Sequence, residues 1–214
     1  MFGATGMIGQ GVLRECLADP GIEQVLSVGR RATGVADGKL RELQPPDLFD
    51  LSAFADELTG YDACFFCLGV SAVGMSEAEY RRVTYDLTLG VARLFAQRDP
   101  GRTFVYVSGQ GTDENGRAMW ARVKGATENA LLTLPLEVYL FRPGYIQPLH
   151  GITSRTRWYR LMYAVTTPLY PVLRRLIPGQ VSTTEQLGRA MIGVARDGAP
   201  SRVLSPREIN AAAA

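Results

Sequence analysis

The stretch GATGMIGQGVLREC, at the start of the chain, constrains the fold more than any other. Glycines at 3, 6 and 9 give the spacing G-x-x-G-x-x-G, and a helical pattern follows at once, with Ile8, Val12, Leu13, Cys16 and Leu17 on one face. A glycine turn that opens a helix leaves backbone N–H groups and the positive end of the helix dipole free for an anion. No Cβ blocks the approach of a phosphate. Such a turn normally hangs from a buried strand, and only Met1 and Phe2 precede this one. The expectation is a dinucleotide turn, Gly3, Thr5, Gly6, Met7, Ile8 and Gly9, whose first strand is largely missing, most economically through a start assigned several residues late. Losing a central strand would leave unpaired backbone groups on its neighbours and a gap in the core.

Downstream, strands and helices alternate. QVLSVG (24–29), DACFFCLG (62–69), TFVYVSG (103–109) and EVYLFRPG (137–144) read as strands closed by turn residues, with a weaker candidate at 39–46. A helix is predicted from Ser76 through residue 97, opened by a Ser76/Glu79 capping box and carrying Val83, Leu87, Val91, Leu94 and Phe95 on its apolar face. Others are predicted from about 117 to 133 and after a Thr183/Gln186 capping box. This order predicts an α/β protein: a Rossmann-type, doubly wound parallel sheet with a small C-terminal substrate lobe. A single domain over 1–214 is expected, with about 145–185 as a substrate-covering segment within it.

Composition narrows the class. Hydrophobic residues at 46% and charged residues at 21% are ordinary globular values, and a net charge of +2 makes no case for nucleic acid. Cys16, Cys64 and Cys67 make no disulfide framework, and the CFFC pair lies in an apolar strand where residues three apart point to opposite faces, so two core cysteines are expected. No metal-ligand cluster surrounds His150, the only histidine, which reads as an ordinary polar contact. The N-terminus lacks the basic region of a signal peptide, and Leu161–Leu173 is too short to span a bilayer, so the expectation is a cytoplasmic protein. Between Glu137 and Glu185 there is no acidic residue, while Arg142, Arg155, Arg157, Arg160, Arg174 and Arg175 share the stretch with Trp158, Tyr159, Tyr163 and Tyr170. That segment reads as a lid over an anionic ligand, with peripheral contact to an anionic membrane as the alternative.

Ligands in such sheets bind beyond the carboxyl ends of the strands. About 20 residues past the glycine turn, where an acidic side chain would accept from a ribose 2′-hydroxyl, this chain has Gly29-Arg30-Arg31. Guanidinium groups suit a 2′-phosphate through charge-assisted, often bidentate hydrogen bonds, so NADP (NADPH) is the expected cofactor. Ser108 closes a strand, and Lys124 follows on a helix.

With these residues in place, the chain resembles the short-chain dehydrogenase/reductases. Within them it is similar to the atypical NAD(P)-binding branch that includes the NmrA-like and Tat-interacting-protein-like oxidoreductases. The resemblance runs through GATGMIG, VGRR, PDLFDL, YDACFFCLG, VYVSGQGTD, WARVKG and FRPG. It implies Asp47 and Leu48 at the adenine, Leu68 and Gly69 along the adenosine ribose, and Pro143 and Gly144 in the cofactor site. It also implies Ser108 as a hydrogen-bond donor to a substrate oxygen and Lys124 on the nicotinamide ribose. The pattern places a catalytic tyrosine four residues before that lysine, on the same helix face, but position 120 is Trp. An indole has no proton acidic enough to replace a phenol. Tyr106 and Tyr145 are the remaining phenols in reach of the site by sequence. The implied activity is reduction or oxidation of a small carbonyl or alcohol. The rival is a non-catalytic NADP(H)-binding regulatory or redox-sensing protein, and a sugar-nucleotide epimerase is a third reading, for which the lobe after 145 looks short.

Overall fold

The computed structural model describes residues 1–152, 170, 175 and 177–213. The chain runs α1 (Met7–Ala18), β1 (Val25–Val28), β2 (Leu40–Leu43), β3 (Ala63–Phe66), α2 (Glu77–Arg81), one π-helical turn (Arg82–Asp86), α3 (Leu87–Arg98), β4 (Thr103–Val107), α4 (Met119–Leu132), β5 (Glu137–Phe141) and β6 (Tyr145–Gln147). It continues with β7 (Val181–Thr183), α5 (Thr184–Asp197), β8 (Val203–Leu204) and α6 (Pro206–Ala212). Four strands form a parallel sheet in the order β3-β4-β5-β8, β1 pairs in parallel with β2, and β6 with β7. Phe2 joins the first two groups, bridging Val28 on one side and Phe66 on the other. The architecture is the expected α/β parallel sheet with helices on both faces.

The central strands β3, β4 and β5 are apolar over nearly their whole length because both of their faces are covered. Alternation sends Phe66, Phe104, Tyr106, Val138 and Leu140 into one cluster with Leu89, Ala92 and Phe95 of α3 and Leu131 of α4. Phe65, Val105, Val107, Tyr139 and Phe141 enter the other, with Val12, Leu13 and Cys16 of α1, Leu187 and Met191 of α5, and Ile209 of α6. Cys64 and Cys67 fall on opposite sides as the period of two requires, and all three cysteines are free thiols.

Both expected capping boxes are present: Ser76 and Thr183 each accept from the backbone three residues on, and Glu79 and Gln186 reach back. The helix read as continuous from Ser76 to 97 is interrupted by the π turn. The wide turn shifts the inward face, so Tyr80, Thr84 and Leu87 are buried and Val83 only half-buried. The strands end one to three residues sooner than their apolar runs, because the closing residues leave the ladder to form the ligand-side loops. Much of the basic aromatic segment, including Arg155, Trp158, Tyr159, Arg160, Tyr163 and Arg174, lies outside the described residues. No helix among the described residues is long and apolar enough to cross a membrane.

Candidate functional site

Parallel pairing in register brings the carboxyl ends of β1, Phe2, β3, β4 and β5 to one edge of the sheet. There the glycine turn closes. Gly6 N–H donates to Gly3 O at 2.9 Å and Gln10 N–H to Gly6 O at 2.8 Å. Gly3 has φ +83°, and a Cβ on it would stand 2.6 Å from Leu68 N, so the turn lies flush against the loop after β3. A Cβ on Gly9 would fall 2.0 Å from Gly3 O, a position no side chain can take. The start of α1 has no side-chain cap and no acidic residue in its first turn. Its orphan N–H groups and positive dipole end are thus available to an anion.

Gly29, Arg30 and Arg31 flank this turn on the β1 side, since Val28 pairs with Phe2. Both arginines are exposed, and neither has an ion-pair partner among the described residues. Leu68 and Gly69 flank it on the β3 side. Asp47 is exposed, with its carboxylate accepting from Phe49 N–H at 2.9 Å. Leu48 packs into the core beside Leu51, so only its backbone could meet a ligand.

The second half of the site centres on Ser108, whose N–H donates to Phe141 O at 2.8 Å. Its hydroxyl lies 3.0 Å from Thr112 Oγ1. Thr112 spends its own proton on Gly109 O at 2.8 Å, so Ser108 is the donor in the pair. Lys124 reaches across from α4 to donate to Ser108 O at 2.8 Å. Burial lowers Lys124 to about 8, and the charge of Glu128 opposes that fall. Glu128, one turn further along α4, is 2% exposed and accepts from Arg142 Nε at 3.0 Å and also from Nη2. Lys124, Glu128 and Arg142 form a polar column under the Ser108 loop. The i, i+4 spacing of Lys124 and Glu128 was the only local signal for it.

The FRPG turn abuts this column. Gln110 N–H donates to Pro143 O at 3.1 Å, and a Cβ on Gly144 would lie 2.4 Å from Gln180 O, so the 178–180 turn seats directly on the glycine. Trp120 stands in the first turn of α4, its ring edge 3.4 Å from where a Cβ on Gly111 would be. Tyr106 is buried beside Phe66, ring centroids 6.1 Å apart, and desolvation pushes its phenol far up. It cannot serve as an acid. Tyr145 donates to Gln147 Oε1 at 2.9 Å, and His150 pairs with Glu185 at 3.0 Å as an ordinary polar contact. Among the described residues no group of three His, Cys, Asp or Glu side chains could hold a metal.

No family model matches the chain. It is 29% identical over 155 residues to the mitochondrial protein fmp52 of Emericella nidulans, a match covering 68% of this chain and 65% of that protein. It is 27% identical over 149 residues to protein HTATIP2 of Rattus norvegicus, covering 68% of this chain and 61% of the relative. The chain thus spans just under two thirds of the relatives it matches. Among solved structures, the dTDP-glucose 4,6-dehydratase DesIV of Streptomyces venezuelae, with NAD and TYD bound, superposes with a TM-score of 0.69 at 17% identity, over 99% of this chain and 78% of the dehydratase. The expected cytoplasmic location is overturned by the fmp52 relatives, which are named mitochondrial and point to that compartment. The lack of a basic signal-peptide region and of a membrane-length apolar stretch, on which that expectation rests, does not decide location. Likeness of sequence to the first two proteins and of fold to the third makes this chain a homologue of fmp52 and HTATIP2, built on the NAD(P)-binding fold of the short-chain dehydrogenase/reductases.

Proposed function

We propose that the chain binds a nicotinamide dinucleotide, NADP(H) in preference to NAD(H), and acts as an oxidoreductase on a small carbonyl or alcohol. The observation that carries the reading is the Gly3–Gly9 turn, closed too tightly for a Cβ at Gly3 or Gly9, opening an uncapped helix beside two arginines that have no ion-pair partner among the described residues. Residues of this kind fit the group: backbone N–H donors for a pyrophosphate, and guanidinium groups for a 2′-phosphate. The NAD bound to the dehydratase of like fold supports the same cofactor class.

A bound nicotinamide would supply the hydride chemistry. The protein's own part is to position and to donate. Lys124, held over the Ser108 loop, presents an ammonium to ribose hydroxyls. Ser108 can turn its proton from Thr112 to a substrate oxygen, with Thr112 keeping the hydroxyl oriented until then. A second reading, a protein that binds NADP(H) without turnover, is favoured by Trp120 at the position of the phenol and by the burial of Tyr106.

The test is a titration with NADPH and NADH, followed by fluorescence. NADPH should bind more tightly, and Arg30→Ala should cut that preference by about tenfold, the size of a lost charged hydrogen bond. Equal affinity of the parent for the two cofactors sinks the 2′-phosphate assignment. A carbonyl panel with NADPH separates the two readings: turnover that collapses in Lys124→Ala supports the enzyme, and binding without turnover supports the second.

The pH dependence follows from Lys124. Below about 8 it is charged and donates; above, it loses its proton. NADPH affinity should therefore fall as pH rises through this range, and Lys124→Met should flatten the profile. An unaltered profile in that variant removes Lys124 from the site.

A further inference from the structure

The side chains around the Ser108 hydroxyl donate hydrogen bonds more readily than protons. Trp120 and Lys124 stand one turn apart on α4 and share the face that meets the Ser108–Thr112 turn. The indole is half-buried, with its ring edge against Gly111, which has no side chain to cover it. The indole N–H, the Ser108 hydroxyl and the Gln110 amide all donate, and none of them ionises near neutral pH. Of the phenols, Tyr106 is buried on the α3 side of the sheet and Tyr145 donates to Gln147 Oε1 at 2.9 Å. The Lys124 ammonium donates to the main-chain oxygen of Ser108 at 2.8 Å, so its charge lies beneath the loop. Such a site holds an anion better than it protonates one.

We propose that the substrate reduced here is a quinone, a planar conjugated dicarbonyl lying on the Trp120 indole with one oxygen at the Ser108 hydroxyl. The inference rests on the reading of the chain as an NADP(H)-dependent oxidoreductase and names the substrate class of that site. Hydride transfer to an isolated aldehyde or ketone leaves an alkoxide, about as basic as hydroxide, whose conjugate acid has a pKa of about 16. That oxygen must receive a proton as it forms, which calls for a positioned acid. A quinone makes no such demand. Hydride adds to one of its oxygens, the π electrons shift through the ring to the other, and the product is a hydroquinone monoanion. Its oxygen is a phenolate, with a conjugate acid near pKa about 10, so it survives the step and takes its proton from water. The sum is NADPH, quinone and a proton giving NADP⁺ and hydroquinone.

The residues present suit that anion. Ser108 can turn its proton from Thr112 to the charged oxygen, and the positive charge of Lys124 lies one peptide away. Glu128, the nearest acidic side chain along α4, is turned away to Arg142. The electron-rich indole offers an electron-poor quinone ring a stacking surface, a contact worth about tenfold in affinity.

The experiment follows NADPH oxidation with a ring-substituted naphthoquinone, which does not add to thiols, and with naphthaldehyde. The two match in planar area and differ in the anion that hydride leaves. The quinone should be reduced with a kcat/KM about a hundredfold above that of the aldehyde. Trp120→Tyr, which puts a phenol beside Ser108, should raise aldehyde reduction by about a hundredfold. Binding is read without turnover, by equilibrium dialysis of the quinone against protein saturated with NADP⁺. Trp120→Leu should weaken that binding about tenfold, and Trp120→Phe, which keeps a ring, should retain most of it. An aldehyde reduced as well as the quinone overturns the proposal and leaves the oxidoreductase reading standing. NADPH bound with neither compound reduced overturns both. Quinone binding left unchanged in a Trp120→Leu variant of parental melting midpoint overturns the proposal too. Where that variant melts early, the aldehyde rate of Trp120→Tyr decides, and no gain there overturns it.

Discussion

Gly9→Ala should abolish nicotinamide binding and lower stability by about 3 kcal/mol, a shift of roughly 10 °C in midpoint. The added methyl would lie 2.0 Å from Gly3 O, 2.7 Å from Gly3 C and 2.9 Å from Ala4 Cα. All three are backbone atoms, so no rotamer can move aside. The chain must instead open the turn, which displaces the start of α1 and the N–H groups proposed to hold the pyrophosphate. Gly3 cannot retreat, because it abuts Leu68 N on its far side. Two losses therefore follow from one clash: the cradle, and the packing of Val12, Leu13 and Cys16 that α1 brings to the core. Gly90→Ala provides the control, since that glycine sits on the exposed side of α3 with nothing within 4 Å. A helix-interior alanine in open space is favourable. Calorimetry and cofactor titration of both variants check the expectation. Wild-type binding by Gly9→Ala would mean that the turn does not cradle phosphates.

The fold was legible where one physical rule acts alone. Strands buried on both faces must be apolar, so VLSV, ACFF, TFVYV and EVYLF stand out from the sequence, and the capping boxes at Ser76 and Thr183 mark helix starts without ambiguity. The glycine spacing likewise carries its meaning locally, because the clash at Gly9 is with a residue six positions away. Features set by distant partners were not legible. The π turn at Arg82–Asp86 has no sequence marker, as it answers to packing against α4. The burial of the Leu48 side chain beside Leu51 depends on how the loop after β2 folds back on the core, which the sequence does not mark. Arg142 read as one member of a basic run, because nothing in the sequence shows that it meets Glu128 rather than solvent. Of the rest of that run, all but Arg175 lies outside the described residues.

That pair carries the second large effect. Glu128→Ala should destabilise the chain by about 3 kcal/mol, the usual cost of removing one partner from a buried ion pair. Glu128 is 2% exposed, and the Arg142 side chain is 32% exposed, so the guanidinium left behind would be only partly hydrated. Replacing the carboxylate by an amide should cost less, because Glu128→Gln keeps the shape and an acceptor oxygen for Arg142 Nε. The consequence reaches the candidate site through Lys124. Glu128 is the charge that holds Lys124 up against desolvation, so its removal should let Lys124 fall further below about 8. The fall in NADPH affinity with rising pH would then begin at lower pH in both variants, including the better-folded Glu128→Gln. A purely structural role would change the midpoint and leave that profile in place. The shift to lower pH would make Glu128 a positioning residue, which anchors Arg142 under the FRPG turn and favours the charged form of Lys124. A stability within 1 kcal/mol of the parent in Glu128→Ala, together with an unshifted profile, would show that the column is held from elsewhere.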